Sequence, residues 1–272
     1  MVKAEPDELK EKLKQRIDPC AREAFVVGEL AQAPVLYPSL LNGFRAAFTT
    51  RLRHDDQGYW VSFDLSSHRG RAASLAVDNR ELLQRELKRE LVSPHQVHGA
   101  RVAGLADYYK GPRDAPCDGL VLHRDLDRGL AAVLLFADCL PVLLCGEVDC
   151  AVVHAGWRGL LQGIVQAGAK AMMSAPGLAI LGPSIGPCCF AVGPEVAWGF
   201  ARRFGSEVVV SASSGLRVDL WQAATRALGE LGLGPGQIVN PRLCTVCNAD
   251  LFFSYRREGP KVGRQALIAW IE

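Results

Sequence analysis

The chain has 272 residues, of which 49% are hydrophobic and 22% charged, a composition that excludes extensive disorder and a fibrous architecture. Its formal net charge of +2 is too small to create the basic field on which nucleic-acid binding relies, so we expect no nucleic-acid partner. At this length, one large domain is the default expectation.

The N-terminal residues and the apolar runs indicate the cellular location of the protein. Residues 1–8 are charged and lack an apolar core with a cleavage site, so we expect a cytoplasmic protein. The most apolar stretch, residues 130–145, is interrupted by Asp138 and Pro141 and is shorter than the ~20 residues that cross a bilayer. We therefore expect no membrane span. Nine cysteines, without an export signal, favour reduced thiols or metal ligands over disulfides.

The first predicted elements are a helix and a region of strands and loops. Over residues 6–23, Leu9, Leu13 and Ile17 form one apolar stripe among Lys and Glu residues, which predicts a peripheral amphipathic helix. Residues 44–70 alternate short apolar and polar pieces, which is typical of strands joined by loops.

The middle of the chain is predicted to form a helix followed by buried strands. Asp78 and Glu81 resemble a capping box and predict the start of the helix. Continuous apolar runs at residues 129–137, 141–145 and 150–153 predict strands that are buried on both faces. A further apolar helix follows these strands.

The last third carries a strand, a helix and a closing strand. A strand at residues 178–181 leads into a loop rich in Gly and Pro, and Asp219 with Gln222 predicts a capped helix to about residue 231. Residues 266–271 predict the closing strand. Because strands and helices do not alternate regularly, we predict an α+β layered sandwich rather than a doubly wound parallel sheet.

Three residues near the ends of predicted elements could hold a metal ion. His98, Cys139 and His154 offer two imidazoles and a thiolate, a known catalytic set for zinc in which three protein ligands leave the fourth position open. No local spacing rule links the three residues, so two unrelated histidines and a core cysteine are the alternative.

Six motifs, in order along the chain, carry a resemblance to a known family. They are QVH at 96–98, DGLV at 118–121, ADCLPV at 137–142, HAGWRG at 154–159, GPSIGPCCF at 182–190 and FFSYRR at 252–257. Together they resemble the laccase-domain family, also labelled multicopper polyphenol oxidoreductase and purine nucleoside phosphorylase, which includes bacterial peptidoglycan editing factors. The matches begin near residue 44, so we predict an N-terminal helical extension over residues 1–40 and one catalytic laccase domain over residues 41–272.

The resemblance implies a four-layer α/β/β/α sandwich with a metal ion on His98, Cys139 and His154. We expect Zn²⁺ there, with Cu²⁺ as the alternative, because the same donors suit either ion and availability in a reducing cytosol favours zinc. Arg51 and His68 also fit family positions, whereas the loop between them departs from the family pattern. Substrate preference is the inference that this departure affects most.

The function implied is that of a purine nucleoside phosphorylase acting on adenosine, inosine, guanosine and methylthioadenosine, with adenosine deaminase as a second activity. Its small-molecule partners would be a nucleoside and phosphate. We predict that Arg158, at the start of a helix, binds phosphate, and that Arg51, His68 and Gln96 contact substrate. Arg51 and Arg256 are weaker candidates for the phosphate ligand. Each of these arginines could instead form an ordinary salt bridge.

Asp138 stands next to a predicted ligand in the sequence. It could support that ligand or act as a general base in catalysis. The alternative is that Asp138 only forms the turn between two strands.

Two other enzyme classes use the same residues. In a cysteine or metal-dependent amidase that edits UDP-muramoyl peptidoglycan precursors, Cys139 would attack an amide with His154 or His98 as its base. A copper-dependent polyphenol oxidase is disfavoured, because six histidines without a His-x-His pair are too few for a trinuclear copper cluster. A zinc-stabilised binding module is a third possibility, disfavoured because three ligands leave the coordination open.

Four cysteines lie outside these motif-based assignments of the metal ligands. Cys188 and Cys189 are adjacent, and Cys244 and Cys247 form a single C-x-x-C. One such pair is a weak signal for zinc or redox chemistry, so we predict that these cysteines are structural.

Overall fold

The computed structural model describes residues 5–39, 41–66, 73–112, 115–213 and 215–272. The strands in these ranges are β1 (Phe25–Leu30), β2 (Ala33–Pro38), β3 (Phe44–Thr49), β4 (Leu52–His54), β5 (Trp60–Ser62), β6 (Glu90–Val92), β7 (Val102–Gly104), β8 (Gly119–His123), β9 (Leu130–Phe136), β10 (Leu140–Cys145), β11 (Asp149–Ala155), β12 (Leu178–Leu181), β13 (Val209–Ala212), β14 (Gly215–Val218), β15 (Ile238–Val239) and β16 (Gln265–Ile271). The α-helices are α1 (Pro6–Arg16), α2 (Ala73–Leu87), α3 (Leu105–Lys110), α4 (Trp157–Leu161), α5 (Ile164–Ala171), α6 (Pro194–Phe204), α7 (Leu220–Gly229) and α8 (Tyr255–Glu258).

Most of the strands belong to two six-stranded sheets. The first has the order β1-β2-β3-β16-β9-β6, and the second has the order β15-β12-β10-β11-β8-β7. Pairing is antiparallel throughout the centre of both sheets, and the parallel pairs lie at the edges, β6 with β9, β7 with β8 and β12 with β15. The pairs β4-β5 and β13-β14 form separate two-stranded sheets.

The two large sheets pack face to face, because their strands are apolar on both sides. Strand side chains alternate between faces, so Leu134 of β9 and Leu143 of β10 enter one core between the sheets. Their neighbours point outward: Val133 joins a second core with α2, and Val142 joins a third core with the helices α4 to α7. The layer order is therefore α/β/β/α, and the predicted α+β four-layer sandwich is confirmed.

The outer helices bury one face each against a sheet. Leu83 and Leu87 of α2 are buried on the first sheet, while Ile164 of α5 and Phe200 of α6 are buried on the second. Asp219 caps α7 by accepting a hydrogen bond from the backbone of Gln222, which confirms that predicted cap. Across the part of the chain that the structure describes, no helix has both the length and the apolarity of a membrane span.

The N-terminal segment differs from its prediction. The helix predicted over residues 6–23 ends at Arg16, and a 3₁₀ helix, Pro19–Ala24, follows it. Leu9, Leu13 and Ile17 are buried, while residues 7, 8, 11 and 14–16 are exposed, which agrees with the predicted amphipathic, peripheral helix over the part that is helical. Strands β1 and β2 also lie within the first forty residues, so this extension is not only helical; its boundary at residue 40 stays a prediction.

Two helix predictions also need correction. The helix α2 begins at Ala73, so Asp78 lies inside it and does not cap it. The single apolar helix expected after the buried strands is two helices, because Gly163 adopts a left-handed conformation, φ +82°, between α4 and α5. The strand predicted at residues 178–181 matches β12, and the closing strand matches β16.

Because the two sheets approach closely at Gly182, a side chain at this position should destabilise the protein. A Cβ added there would collide with the Phe48 ring of the first sheet and lie 2.9 Å from Cγ of Pro141. Overpacking of this kind destabilises a core by roughly 1–3 kcal/mol, and we expect Gly182→Ala to lower the free energy of unfolding by that amount in urea denaturation. Gly177→Ala is the matched control, because a Cβ there meets nothing within 4 Å. Equal stability of the two variants would contradict this packing.

Candidate metal centre

The structure brings the three predicted metal ligands together. His98 lies in the loop between β6 and β7, Cys139 in the connection from β9 to β10, and His154 in β11. The hairpin of β10 and β11 pairs Leu140 with Ala155, which sets Cys139 beside the end of β11. One ligand atom from each residue lies within 4.8 Å of the other two, and Nδ1 of His98 is 3.8 Å from Sγ of Cys139.

A fully buried carboxylate, Asp118, holds two of these ligands. It immediately precedes β8, and its Oδ1 accepts hydrogen bonds from Nδ1 of His154 and from the backbone N–H of His98, each at 2.9 Å. Its Oδ2 accepts from the backbone N–H groups of Val97 and Gly99, at 3.2 and 2.8 Å. These bonds hold the His98 backbone in a left-handed conformation, φ +62°, and leave Nε2 as the ring nitrogen of His154 that interacts with the Cys139 thiol and could bind a metal.

Asp118 had no role in the sequence prediction, although its DGLV segment was one of the matched motifs. A carboxylate partner could have been expected from the sequence, because a metal-binding histidine commonly donates the N–H of its other ring nitrogen to a carboxylate. The partner itself is 36 residues from His154 in the chain, so only the pairing of β8 with β11 identifies it.

A glycine leaves the space between the ligands open. Gly156 precedes α4, and a Cβ at this position would lie 3.0 Å from Sγ of Cys139 and 3.1 Å from Nδ1 of His98. Such distances are shorter than real Cβ contacts normally allow, so any side chain here would enter the volume that the donors surround.

The site also favours charged forms of its thiol and imidazole. Burial alone would raise the pKa of Cys139, but the neighbouring His154 and His98 lower it to about 6. Burial alone would lower the pKa of His154, but Cys139 and Asp118 raise it to about 9. Both shifts act in the direction of a thiolate beside an imidazolium in the metal-free centre, with Asp118 as the partner of the imidazolium.

The donor set fits a transition-metal ion. Two imidazoles and one thiolate suit Zn²⁺ or Cu²⁺. Among the residues that the structure describes, no fourth His, Cys, Asp or Glu joins this group. The arrangement is that of a three-ligand site with one side open, as catalytic zinc sites have.

Asp138 connects the centre to the C-terminal loops. It has an unusual backbone conformation, φ +89°. Its Oδ1 accepts from the Thr245 hydroxyl at 2.6 Å, and its Oδ2 accepts from the backbone N–H of Arg256 at 2.7 Å. Its backbone carbonyl accepts from the Ile185 N–H at 2.9 Å. Both carboxylate oxygens are therefore engaged by the protein, and the predicted general-base role stays a prediction.

Two of the predicted substrate contacts are engaged elsewhere in the fold. The Gln96 amide donates to the Leu135 carbonyl at 2.9 Å and accepts from the Leu135 N–H at 2.8 Å, which ties its loop to β9. Arg51 forms an ion pair with Glu258, at 2.9 Å, and donates to the Ala249 carbonyl. Both side chains thus stabilise the fold in this conformation.

The other predicted contacts have different surroundings. Arg158 is exposed at the start of α4, and its guanidinium stacks 4.3 Å from the centre of the Trp157 ring. No carboxylate pairs with Arg158 in the described ranges. Arg256 donates to the carbonyls of Cys189 and Ala191. His68 lies outside the described residues.

Comparison with known proteins gives a consistent result. Residues 45–272 match a family model described as multi-copper polyphenol oxidoreductase laccase. The chain is 32% identical over 242 residues to a Shigella flexneri protein named purine nucleoside phosphorylase YfiH, covering 85% of this chain and 96% of that protein. It is 34% identical over 160 residues to human purine nucleoside phosphorylase LACC1, covering 54% of this chain but only 36% of the human protein. A solved structure, Neisseria meningitidis protein NMB0706, superposes with a TM-score of 0.75 at 31% identity, covering 92% and 99% of the two chains.

The lowered pKa of Cys139 predicts that iodoacetamide alkylates this thiol at a lower pH than an ordinary cysteine. Because the thiolate is the reacting form, alkylation of Cys139 in metal-free protein should rise with pH around a midpoint of about 6. Mass spectrometry of the alkylated peptide, at a series of pH values, measures this midpoint. Cys139→Ala should remove the acid-range alkylation, and a midpoint near the ordinary thiol value of 9.0 would refute the thiolate assignment.

The contacts of Asp118 predict a loss of metal affinity on substitution. Asp118→Asn keeps the size of the side chain but removes the carboxylate that orients His154, and we expect zinc to bind about 10–100-fold more weakly in a competition titration with a chelator. Asp127→Asn is the control, because Asp127 is also buried but receives the His123 N–H at the other end of β8. An equal loss of affinity in both variants would mean that Asp118 acts only through general stability.

Proposed function

We propose, from the premise that this chain belongs to the multi-copper polyphenol oxidoreductase laccase family, that it is a purine nucleoside phosphorylase holding zinc on His98, Cys139 and His154. The proposed substrates are phosphate with adenosine, inosine, guanosine or methylthioadenosine, and adenosine deamination is a proposed second activity. The names of the relatives support the reaction class. We further propose a cytoplasmic location and no nucleic-acid partner.

The observation that carries the proposal is the convergence of three donor atoms with one side open, a few residues along the chain from an exposed arginine. Phosphorolysis joins a phosphate oxygen to C1′ of the nucleoside while the bond from C1′ to the purine nitrogen breaks. The purine leaves with the electron pair of that bond. The protein must therefore hold a dianionic nucleophile beside C1′, and a cation is needed to do so.

Arg158 is the proposed phosphate ligand. Its guanidinium is exposed and stacks on Trp157, so it can offer two parallel N–H donors to phosphate without first breaking an ion pair. Arg51 is a weaker candidate, since its ion pair with Glu258 would have to open. His68 and Gln96 remain proposed substrate contacts.

The metal ligands and Asp118 account for the rest of the centre. A bound zinc ion would act as a Lewis acid and would lower the pKa of a bound water to about 7. Adenosine deamination would use this activated water. Asp118 keeps His154 oriented, and the missing side chain at Gly156 leaves room among the donors. Asp138 is proposed to position Cys139 through its bonds to Thr245 and Arg256. Cu²⁺ is the alternative ion for the same donors.

A second candidate function is favoured by the contact of Cys139 with its histidines, since Sγ of Cys139 lies 3.8 Å from Nδ1 of His98 and also interacts with His154. A thiolate beside an imidazolium is the arrangement of cysteine hydrolases, in which the sulfur attacks a carbonyl carbon and the histidine transfers the proton. This supports the amidase alternative, which would remove a wrongly added residue from a UDP-muramoyl precursor. The two functions differ in their need for phosphate.

Phosphate dependence is the test of the proposed function. Purified, zinc-loaded protein should release free purine from inosine or adenosine only when phosphate is present, as measured by chromatography of the base and the sugar phosphate. Arg158→Ala should raise the KM for phosphate about tenfold to a hundredfold, because a charge-assisted hydrogen bond contributes about 1.5–3 kcal/mol. The KM for the nucleoside should change much less.

Two controls make the outcome decisive. Arg128→Ala removes another exposed arginine, on the turn before β9, and should leave the KM for phosphate unchanged. Cys139→Ala should lose both zinc and base release. Absence of base release from zinc-loaded protein, or release that is indifferent to phosphate, would refute the phosphorylase proposal.

A further inference from the structure

Four cysteines outside the first centre converge from two loops. Cys188 and Cys189 lie in the turn that follows β12, and Cys244 and Cys247 lie in the loop that follows β15. The parallel bridge of Ser184 with Cys244 joins the two loops, although Cys188 and Cys247 are 59 residues apart in the chain. We call these four residues the cysteine cluster. Their sulfur atoms all lie within 4.8 Å of one another.

The distances between the sulfurs match a tetrahedral metal site. Zinc binds thiolates at about 2.3 Å, so two sulfurs at tetrahedral angles lie about 3.8 Å apart. In the cysteine cluster, Sγ of Cys247 is 3.6 Å from Sγ of Cys188 and 3.5 Å from Sγ of Cys189. A disulfide does not explain this arrangement, because sulfur pairs at about 2.05 Å with one partner only, and all four thiols are free.

The cluster is also unlike a set of ordinary core cysteines. Cys188 and Cys247 are exposed and Cys189 is half-buried, so burial of small apolar side chains does not account for their convergence. Cys244 is buried, and its sulfur accepts backbone hydrogen bonds, including one from Gly186 at 3.3 Å. Backbone N–H donors to sulfur favour the thiolate form, which is the form that binds metal.

We propose that Cys188, Cys189, Cys244 and Cys247 bind a second metal ion of the soft, thiolate-binding class, with Zn²⁺ as the ion. Four thiolates fill a tetrahedral shell, so the site is closed and structural, unlike the open centre at His98, Cys139 and His154. The proposal does not depend on the proposed function, because it uses neither the substrate nor the three ligands of the first centre.

The position of the cluster explains what such an ion would do. Thr245 lies between Cys244 and Cys247, and its hydroxyl donates to Asp138, which precedes Cys139. A metal ion that joins the two loops would fix Thr245, and through it the strained turn that presents Cys139 to the first centre. The ion thus stabilises the fold at the edge of the second sheet.

The test is the metal content of the full chain in four forms. Elemental analysis after dialysis in zinc-free buffer would compare the unmutated protein with Cys139→Ala, Cys247→Ser and the double variant. We expect Cys247→Ser to lose one zinc equivalent per chain, Cys139→Ala to keep the equivalent of the cysteine cluster, and the double variant to keep none. Cys20→Ser is the control, because Cys20 is exposed but lies outside the cluster.

The outcomes separate this proposal from the first centre. If the first centre holds no metal, Cys139→Ala will equal the unmutated protein while Cys247→Ser still loses one equivalent. A normal zinc content in Cys247→Ser would overturn the proposal. Co²⁺ bound to Cys139→Ala gives a second readout, since charge-transfer absorption from four thiolates should disappear when Cys247→Ser is added.

A measurement on the unmutated protein covers the case in which the variants do not fold. Zinc-loaded protein should protect all four cysteines of the cluster from alkylation, and a strong chelator should expose them. Two outcomes overturn the proposal: free alkylation in the presence of zinc, or alkylation that requires a disulfide reductant after chelation.

Discussion

The buried carboxylate of Asp118 is the interaction on which the first centre depends. A charge removed from water must be satisfied inside the protein, and four hydrogen bonds do so here, one from the His154 ring and three from the backbone at Val97, His98 and Gly99. Burial alone would raise the pKa of Asp118, but these donors hold it below its ordinary value. The ionised group thereby joins a loop to a strand of the second sheet.

Backbone strain is located where the ligands are presented. His98 and Asp138 both have positive φ, a conformation that costs a residue other than glycine about 1–3 kcal/mol unless its surroundings compensate. Asp118 compensates at His98, and the bonds of Asp138 to Thr245 and Arg256 compensate at the second position. The core of the sandwich provides the rigid frame from which both strained turns project.

The sequence pattern predicted correctly those strands and helices that neighbouring residues determine. The strands from β9 to β12 and the capped start of α7 follow from apolar runs and from Asp219, and the layer order followed from the family resemblance. Local patterns gave no indication of contacts that depend on distant pairing: Asp118 reaches His154 only because β8 pairs with β11, and nothing in the sequence around either residue shows this. The ligands His98, Cys139 and His154 were named by resemblance, and their role as a metal site remains a proposal.

The cysteine cluster could not be recognised from the sequence either, because its two halves come together only in the fold. An adjacent pair and a single C-x-x-C are weak signals when read separately, and only the bridge between Ser184 and Cys244 makes them one group. The same two loops also supply the partners of Asp138, through the hydroxyl of Thr245 and the N–H of Ile185. Order in these loops and the position of Cys139 are therefore physically coupled. A thiolate-bound ion at one end of that connection would stabilise the geometry of the open donor set at the other.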